Sequence, residues 1–411
     1  MTTSSNRGWI VVLAGLSINL MFGVLYAWSI FSANLSSMYK WTSFQASLPY
    51  TVAIVVFALV MLVGGKLQDL FGPRIVATAG GLLTGVGLIL SSIFPTLTGV
   101  IICFGVLTGA GIGMGYSATT PAAVKWFKPE QKGLIAGIVV TGFGLAALYI
   151  APLTKYLIAS FGVFSTFRIL GIVFGILIMA FAQLLVLPKT PVTSEALKYS
   201  AASNDVNYSW KEMLKTPQFY LLWMMFLAGS MAGLILIGHL AKIAVIQTGI
   251  NMGVVLVSMI AISNALGRPV AGFVSDKIGR GKTMAILYLM QGATLLLFST
   301  FQNFAAILTG SMIITFSYGA MLAVYPSAVA DFYGTKNMGF NYAILFTAWG
   351  VAGVSGPLAA GYILDVTGGY NTAYLIASIL CFFAAVLGMI VKPPSAEKPD
   401  YKIVLQTQTE S

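Results

Sequence analysis

The stretch GKLQDLFGPR, residues 65–74, lies between two long apolar segments and returns in altered form as GFVSDKIGRGK at residues 272–282. Three positions recur at a constant spacing of 207 residues: Gly65 with Gly272, Asp69 with Asp276, and Gly72 with Gly279. PAAVKWF from Pro121 and PSAVADF from Pro326 form a second pair, 205 residues apart. The second half of the chain therefore repeats the first half in the same direction.

The composition around these loops excludes a soluble globular protein. Of 411 residues, 58% are hydrophobic and only 8% are charged, whereas soluble domains carry roughly 25% charged residues. Apolar stretches of about 20 residues separate the charged clusters, which is the length a helix needs to cross a bilayer. The net charge of +11 is attributed to Lys and Arg residues on cytoplasmic loops. The expected partner is therefore the lipid bilayer and not nucleic acid.

The hydropathy pattern predicts twelve transmembrane helices and four regions. The predicted spans are 9–33, 44–64, 75–94, 97–121, 133–157, 166–187, 217–241, 252–274, 283–301, 304–329, 339–363 and 372–391. The predicted regions are a six-helix bundle over 1–188, a cytoplasmic linker over 189–216, a second six-helix bundle over 217–392 and a cytoplasmic tail over 393–411. A short surface helix is expected in the linker around Trp210.

The basic residues set the expected orientation. With the amino terminus in the cytoplasm, seventeen of the 22 Lys and Arg fall on the cytoplasmic side and four outside, as the positive-inside rule requires. Both termini are then cytoplasmic. An all-α membrane protein with twelve helices in two parallel six-helix repeats is the expected fold, and parallel repeats of this kind are typical of one class of secondary transporters.

One arginine departs from this pattern. Arg268 lies in AISNALGRPVAGFV, residues 261–274, about 12 Å into the membrane from Asp276 at 1.5 Å per residue. Burying it costs at least ~2.5 kcal/mol, and no Asp or Glu falls in the middle of a span. The arginine therefore suits an anionic ligand, whose carboxylate it would pair bidentately. Backbone carbonyls or water are the alternative partners. Asn264, four residues earlier, shares its helix face.

The chain resembles a known family in these loops. The pattern G-x-L-x-D-x-x-G-x-R at Gly65–Arg74, echoed after the eighth span, resembles the signature loop of the major facilitator superfamily. Further motifs resemble its oxalate/formate antiporter and monocarboxylate transporter branch: RGWIVVLAG at Arg7, GVLYAWSIF at Gly23, KWFKPEQKGLIAG at Lys125, TPQFYLLW at Thr216 and NALGRPVAGFVSDKIGR at Asn264. The resemblance implies that Arg268 holds the substrate carboxylate. It also implies gating roles for four residues of the paired loops: Asp69, Arg74, Asp276 and Arg280.

The same resemblance narrows the substrate. Oxalate transporters of this branch are expected to hold a second carboxylate with a lysine in span eleven, and here Trp349 occupies that position. A monocarboxylate such as lactate or pyruvate is therefore favoured over oxalate. Further residues are expected to line the cavity, with ordinary core packing as the alternative: Tyr26, Tyr116, Tyr318, Leu25, Leu145 and Phe346.

Proton coupling has one histidine to consider. His239 is the single histidine of the chain and is a candidate proton carrier or sensor; a purely hydrogen-bonding role is the alternative. The resemblance implies an aspartate four residues before the arginine in eukaryotic monocarboxylate transporters, where this chain has Asn264, which does not titrate. The carboxylic acid itself is the other possible proton carrier.

The predicted function is secondary active transport of a small monocarboxylate by alternating access, with coupling to protons. An oxalate/formate-type exchanger is the first alternative, and a sensor of organic acids on a transporter fold is the second. The sequence shows no channel filter and no catalytic pair, so neither a pore nor an enzyme is expected. No cofactor or metal is expected, and the protein is expected to work as a monomer.

Overall fold

The computed structural model describes residues 2–188, 207–249 and 253–394, and within these ranges every regular element is helical. Side chains are described except at 2–5, 43, 253–255 and 257. Most of the predicted linker and nearly all of the predicted tail lie outside the described residues. The four-region division therefore stays a prediction.

The helices follow the predicted spans closely. They are α1 (Thr2–Phe22), α2 (Trp28–Tyr39), α3 (Ser43–Phe71), α4 (Pro73–Ile93), α5 (Leu97–Val100), α6 (Gly109–Val124), α7 (Lys132–Phe161), α8 (Val163–Ala182), α9 (Trp210–Met213), α10 (Pro217–Thr248), α11 (Gly253–Ile278), α12 (Arg280–Leu297), α13 (Phe304–Tyr333), α14 (Met338–Thr367) and α15 (Asn371–Ile390). Each predicted span coincides with one helix or with two consecutive helices.

Length and composition support membrane crossing. Eleven segments of the described chain are long and apolar enough to span a bilayer. The predicted eighth span corresponds to α11, whose 26 residues reach about 39 Å at 1.5 Å per residue. Its first side chains lie outside the described set. The short surface helix expected around Trp210 is α9, which begins at a capping box formed by Ser209 and Glu212.

Two irregular turns interrupt the long spans near the middle of the bundle. A 3-10 turn, Gly23–Ala27, joins α1 to α2 and carries Tyr26. A π-helical turn, Ile101–Thr108, joins α5 to α6. A side chain at Gly23 would lie 1.8 Å from the Cβ atom of Ala146, so glycine is required for the 3-10 turn to pack against α7.

Helices of the first six spans pack mainly on one another, and so do those of the last six. Among the first six, α4 packs on α8 and α3 on α6; among the last six, α11 packs on α13 and α12 on α15. Two seams join these halves, α7 against α11 and α3 against α14. The seams are built around glycines: a Cβ atom on Gly272 would lie 2.1 Å from the Gly133 carbonyl oxygen, and one on Gly65 would lie 2.4 Å from that of Gly339.

These close approaches lie at one end of the bundle, beside the paired loops 65–74 and 272–282. We call it the motif end. Contacts between the halves extend inward from there to Gly144 and Ala265 in one seam, and to Ile54 and Gly353 in the other. The halves are thus closed against each other from the motif end to the middle of the bundle.

Candidate functional site

Arg268 lies at the centre of the α7–α11 seam and is almost completely buried, with 1% of its surface exposed. Its Nε and Nη2 atoms donate to Asn264 Oδ1 at 3.2 and 2.9 Å. Its Nη1 atom donates to the Val140 carbonyl oxygen on α7, in the other half. The one-turn spacing of Asn264 and Arg268 on α11 explains why the amide reaches the guanidinium.

No carboxylate neutralises this charge among the described residues. The ion pairs of the described chain join Lys132 to Asp331 and Arg280 to both Asp276 and Asp331, all at the motif end. The guanidinium donates to an amide and a backbone carbonyl, the kind of partner that the sequence left open as an alternative, and the Tyr26 side chain is also within hydrogen-bonding reach of it. None of these partners is an acidic side chain, so a full positive charge remains uncompensated in the middle of the bundle.

Four tyrosines surround the arginine closely enough to interact with its charge: Tyr26, Tyr116, Tyr318 and Tyr342. They come from the 3-10 turn, α6, α13 and α14, so both halves contribute. The sequence pointed to the first three and missed Tyr342. The Tyr342 hydroxyl makes no well-aligned hydrogen bond within the described structure, and the Tyr116 hydroxyl is the polar group close to it.

Aromatic rings continue around this tyrosine group. Trp349 Nε1 donates to Tyr318 Oη at 2.8 Å, and the Trp349 ring stacks on Phe346 with centroids 4.9 Å apart. Phe57 lies 5.5 Å from the Trp349 ring and 5.4 Å from the Tyr116 ring. These rings bring α3, α6, α13 and α14 together at the level of the arginine. A ligand held there meets apolar faces and a few polar edges.

The sequence analysis missed two phenylalanines that belong to this group of aromatic rings. Phe57 on α3 and Phe143 on α7 both pack against Tyr116, with ring centroids 5.4 and 5.9 Å away. In a chain with 26 phenylalanines, no local pattern separates these two from core residues. Leu25 is buried in the 3-10 turn, and Leu145 is half-buried next to Gly144 on α7. Their predicted wall role stays a prediction.

Two aspartates of the paired loops cap helices of the opposite half. Asp276 accepts hydrogen bonds from the backbone N–H groups of Gly133 and Leu134, each at 2.8 Å. Asp69 accepts from those of Gly339 and Phe340, at 3.2 and 2.8 Å. A carboxylate at a helix amino terminus satisfies unpaired N–H groups and matches the helix dipole. The repeat in the sequence thus appears as two equivalent caps between the halves.

The two caps differ in their cationic neighbours. Arg280 is buried and pairs with Asp276 at 2.8 Å and with Asp331 at 2.8 Å. Asp69 accepts instead from the Gln68 amide at 2.6 Å. Lys125 lies near Asp69; burial lowers the pKa of this lysine, and the attraction of the carboxylate opposes that shift. Arg74 is exposed and makes no ion pair within the described residues, so its gating role stays a prediction.

His239 lies on α10 towards the end opposite the motif end. Its Nδ1 atom is 2.9 Å from Tyr370 Oη, and its Nε2 atom is 3.0 Å from the Pro357 carbonyl oxygen. Since a carbonyl only accepts, Nε2 carries a proton in this arrangement. The ring therefore connects α10, α14 and the residue before α15. Its proton-carrying role stays a prediction.

The chain is similar to characterised transporters along almost its whole length. An oxalate:formate antiporter of Oxalobacter formigenes is 30% identical over 393 residues, covering 94% of this chain and 92% of the relative. Monocarboxylate transporter 13 of Rattus norvegicus is 24% identical over 397 residues, covering 94% and 89%. The predicted resemblance to this branch is confirmed, and the relatives are transporters and not enzymes.

Solved structures share the fold. The Escherichia coli fucose:proton symporter FucP superposes with a TM-score of 0.71 at 13% identity, covering 92% of this chain and 98% of that chain. The proton:xylose symporter XylE superposes with a TM-score of 0.72 at 13% identity, covering 94% and 96%. The predicted all-α membrane fold is thus confirmed. The sequence profile of the Major Facilitator Superfamily matches residues 12–265 and 241–406, and the chain belongs to that superfamily of multi-pass membrane transporters.

Proposed function

We propose that this transporter carries a small monocarboxylate of the lactate or pyruvate type, and that Arg268 binds its carboxylate. The carrying observation is a buried guanidinium that makes hydrogen bonds to an amide and a backbone carbonyl but no ion pair within the described residues. A planar guanidinium pairs with a carboxylate through two parallel hydrogen bonds. An anion from outside the protein supplies the neutralising charge that no described acid supplies.

The aromatic surroundings support one carboxylate over two. Arg268 is the only Lys or Arg in the predicted span 252–274. By the resemblance to oxalate transporters, Trp349 takes the position of the lysine that would bind the second carboxylate of a dianion. The indole N–H and the tyrosine hydroxyls near the arginine suit one or two further polar atoms, such as the keto or hydroxyl oxygen of a small acid. The proposed substrate-binding residues are thus Arg268, Asn264 and the surrounding aromatic residues Tyr26, Tyr116, Tyr318, Phe346 and Trp349.

Alternating access follows from the two seams. The Asp69 and Asp276 caps and the glycine contacts hold the motif end closed, and their separation would expose the arginine to that side. The excess of basic residues on the motif-end loops supports a cytoplasmic location for this end and for both termini. The transporter is proposed to act as a monomer in the cell membrane, with the whole site inside one chain.

Proton symport is the proposed energetics, with His239 or the acid itself carrying the proton. The second candidate is exchange of one anion for another, and the specific observation in its favour is the 30% identity to an oxalate:formate antiporter. The two differ in what drives accumulation. A symporter concentrates lactate in response to a pH gradient, whereas an exchanger requires an anion on the other side.

Reconstituted liposomes test the proposal directly. We expect counterflow of labelled lactate or pyruvate, weaker counterflow of oxalate and formate, and net accumulation when the interior is made alkaline. Arg268→Ala is expected to lower uptake at least a hundredfold while the protein still inserts and folds, because a buried charge-assisted pair is lost. Arg168→Ala, which removes an exposed arginine, is the matched control. Normal lactate uptake by Arg268→Ala would refute the assigned role.

A further inference from the structure

One hydrogen bond and one longer polar contact cross the α7–α11 seam at the level of the site. Arg268 Nη1 donates to the Val140 carbonyl oxygen. The Thr141 hydroxyl donates to the Gly137 carbonyl oxygen of its own helix at 2.6 Å, and its Oγ1 atom lies 3.4 Å from the Ala265 carbonyl oxygen. The arginine therefore gives the stronger of the two contacts. We call this pair of contacts the central latch. It lies well inside the bundle, separate from the Asp276 cap at the motif end.

Local features of both helices make the latch possible. Pro269 has no backbone N–H, so the carbonyl of Ala265, four residues earlier, lacks its usual helical partner and faces the Thr141 hydroxyl across the seam. On α7, Asn19 Nδ2 donates to the Val139 carbonyl oxygen at 2.9 Å. The carbonyl oxygens of two neighbouring residues of α7 thus accept hydrogen bonds from different halves: that of Val139 from Asn19 in the first half, and that of Val140 from Arg268 in the second half.

The latch requires a very close approach of the two helices. A Cβ atom on Gly137 would lie 2.4 Å from the Arg268 carbonyl oxygen, and one on Gly144 would lie 3.2 Å from the Arg268 Cζ and Nε atoms. Gly137 and Gly144 are seven residues apart and share one face of α7. The guanidinium therefore lies directly over the glycine surface of the other half.

Among the described residues of the second seam, no such polar contact is seen at the corresponding level. A shift of 206 or 207 residues places Met61 opposite Arg268 in the repeat and Phe346 opposite Val140. There the α3–α14 seam is packed with Phe57, Phe346 and Trp349. One seam is therefore joined by apolar packing, and the other by the residue that carries the uncompensated charge.

We propose that Arg268 holds the two halves together while the carrier is empty, and that an arriving carboxylate releases the central latch by taking over the guanidinium. This inference rests on the proposed function, because the same arginine binds the substrate. With 1% of its surface exposed, the guanidinium accepts an anion only if the packing around it opens. A carboxylate is a stronger acceptor than the neutral Val140 carbonyl, so it binds the released form preferentially and shifts the population towards it.

Distances across the motif end test the proposal. Lys128→Cys and Lys336→Cys place one spin label on each half at exposed positions, in a background with Cys103→Ala and Cys381→Ser. Pulsed spin-resonance distances are compared for the native protein, Arg268→Met and the control Arg168→Met, each with sodium chloride, sodium lactate or sodium pyruvate. Arg268→Met removes both the charge and the donor without adding bulk.

In the absence of carboxylate, Arg268→Met is expected to raise the ratio of open to closed motif ends about tenfold or more, since charge-assisted hydrogen bonds contribute about that factor. Lactate or pyruvate is expected to shift the native protein in the same direction, and to leave Arg268→Met unmoved. Gly144→Ala keeps the arginine but its new methyl group pushes the guanidinium away from Val140. It should therefore also shift the spin-label distances measured without carboxylate towards the open motif end.

The outcomes separate this inference from the proposed function. If the spin-label distances measured without carboxylate are unchanged in both Arg268→Met and Gly144→Ala, the latch proposal is overturned, even if Arg268→Met no longer binds lactate. A native protein that opens in neither lactate nor pyruvate, while counterflow shows that it transports them, overturns release by the anion. Absence of counterflow in the native protein refutes the proposed substrates, and the comparison in sodium chloride still decides whether the latch exists.

Discussion

Arg268 and Asn264 show how one side chain controls the charge available at the site. The amide oxygen of Asn264 accepts from two nitrogens of the guanidinium, which orients the arginine without neutralising it. An amide and a carboxylate have nearly the same shape, but only the carboxylate would cancel the charge. The identity of residue 264 therefore decides whether the positive charge of Arg268 is neutralised by its own helix.

Asn264→Asp is expected to supply the missing resident acid. At neutral pH the new carboxylate pairs with Arg268 and competes with the substrate, so KM for lactate should rise about tenfold or more, 1.4 kcal/mol being a factor of ten. Protonation of the aspartate in acid should restore part of the uptake. Initial rates of lactate counterflow between pH 5 and pH 8 measure this. Asn264→Gln is the uncharged control, and an Asn264→Asp protein with native KM at neutral pH would contradict the assignment.

Trp349→Lys is expected to change the preference from one carboxylate to two. The substitution replaces an indole, which now donates to Tyr318 and stacks on Phe346, with a second cation among the same aromatic rings. Oxalate uptake should rise relative to lactate uptake by at least tenfold. Trp349→Phe removes the indole N–H without adding charge and serves as the control. Equal oxalate-to-lactate ratios in the two variants would show that residue 349 does not face the substrate.

At the scale of elements, the amino termini of α7 and α14 are the points where the halves meet. Each is capped by an aspartate from the other half, so each cap belongs to the closed state of the motif end and not to one helix alone. The Asp276 cap also faces the buried Arg280, whereas the Asp69 cap faces Gln68 and the more distant Lys125. The equivalent caps are therefore unequal in strength.

Asp276→Asn is expected to weaken closure more than Asp69→Asn. An asparagine has one acceptor oxygen for two N–H groups, so each variant loses roughly 1–2 kcal/mol of capping. Asp276→Asn also removes one of the two carboxylates that pair with Arg280, which adds to its cost. Melting temperatures and spin-label distances across the motif end report both effects. Equal losses in the two variants would contradict the inequality, and Asp365→Asn, at an exposed position, is the control.

For the whole molecule, alternating access requires two surfaces that separate and meet again. The seams use backbone-to-backbone contact at glycines, which allows a close fit without interlocked side chains. The Cβ distances at Gly133, Gly272, Gly65 and Gly339 are all below 3.0 Å, so even an alanine forces the helices apart. Rocking of the halves thus depends on small residues at a few opposed positions.

Gly272→Ala is expected to prevent full closure of the motif end. Its Cβ atom would overlap the Gly133 carbonyl oxygen, which cannot rotate away because it is backbone. The open population should dominate in the spin-label measurement, and accumulation of lactate should fall at least tenfold. Gly238→Ala, whose Cβ atom meets Pro357 at an ordinary 3.6 Å, should transport normally. A Gly272→Ala protein that still populates the closed distance would contradict this account of the seam.

The sequence by itself determined the twelve spans, the parallel repeat and the isolated arginine. These features are local: the length of an apolar segment, the spacing of recurring motifs and the rarity of charge are all visible along the chain. Asn264 was predictable for the same reason, because it lies one helical turn from Arg268.

Only the tertiary structure decided what surrounds the arginine. The Val140 carbonyl lies 128 residues away in sequence, and a backbone carbonyl has no residue type to mark it. Phe57, Phe143 and Tyr342 differ from core aromatics only in their position in space. The caps of Asp69 on α14 and Asp276 on α7 join segments of opposite halves. Such contacts arise when two six-helix halves close on each other, and that docking is set by the fit of whole surfaces and not by any short motif.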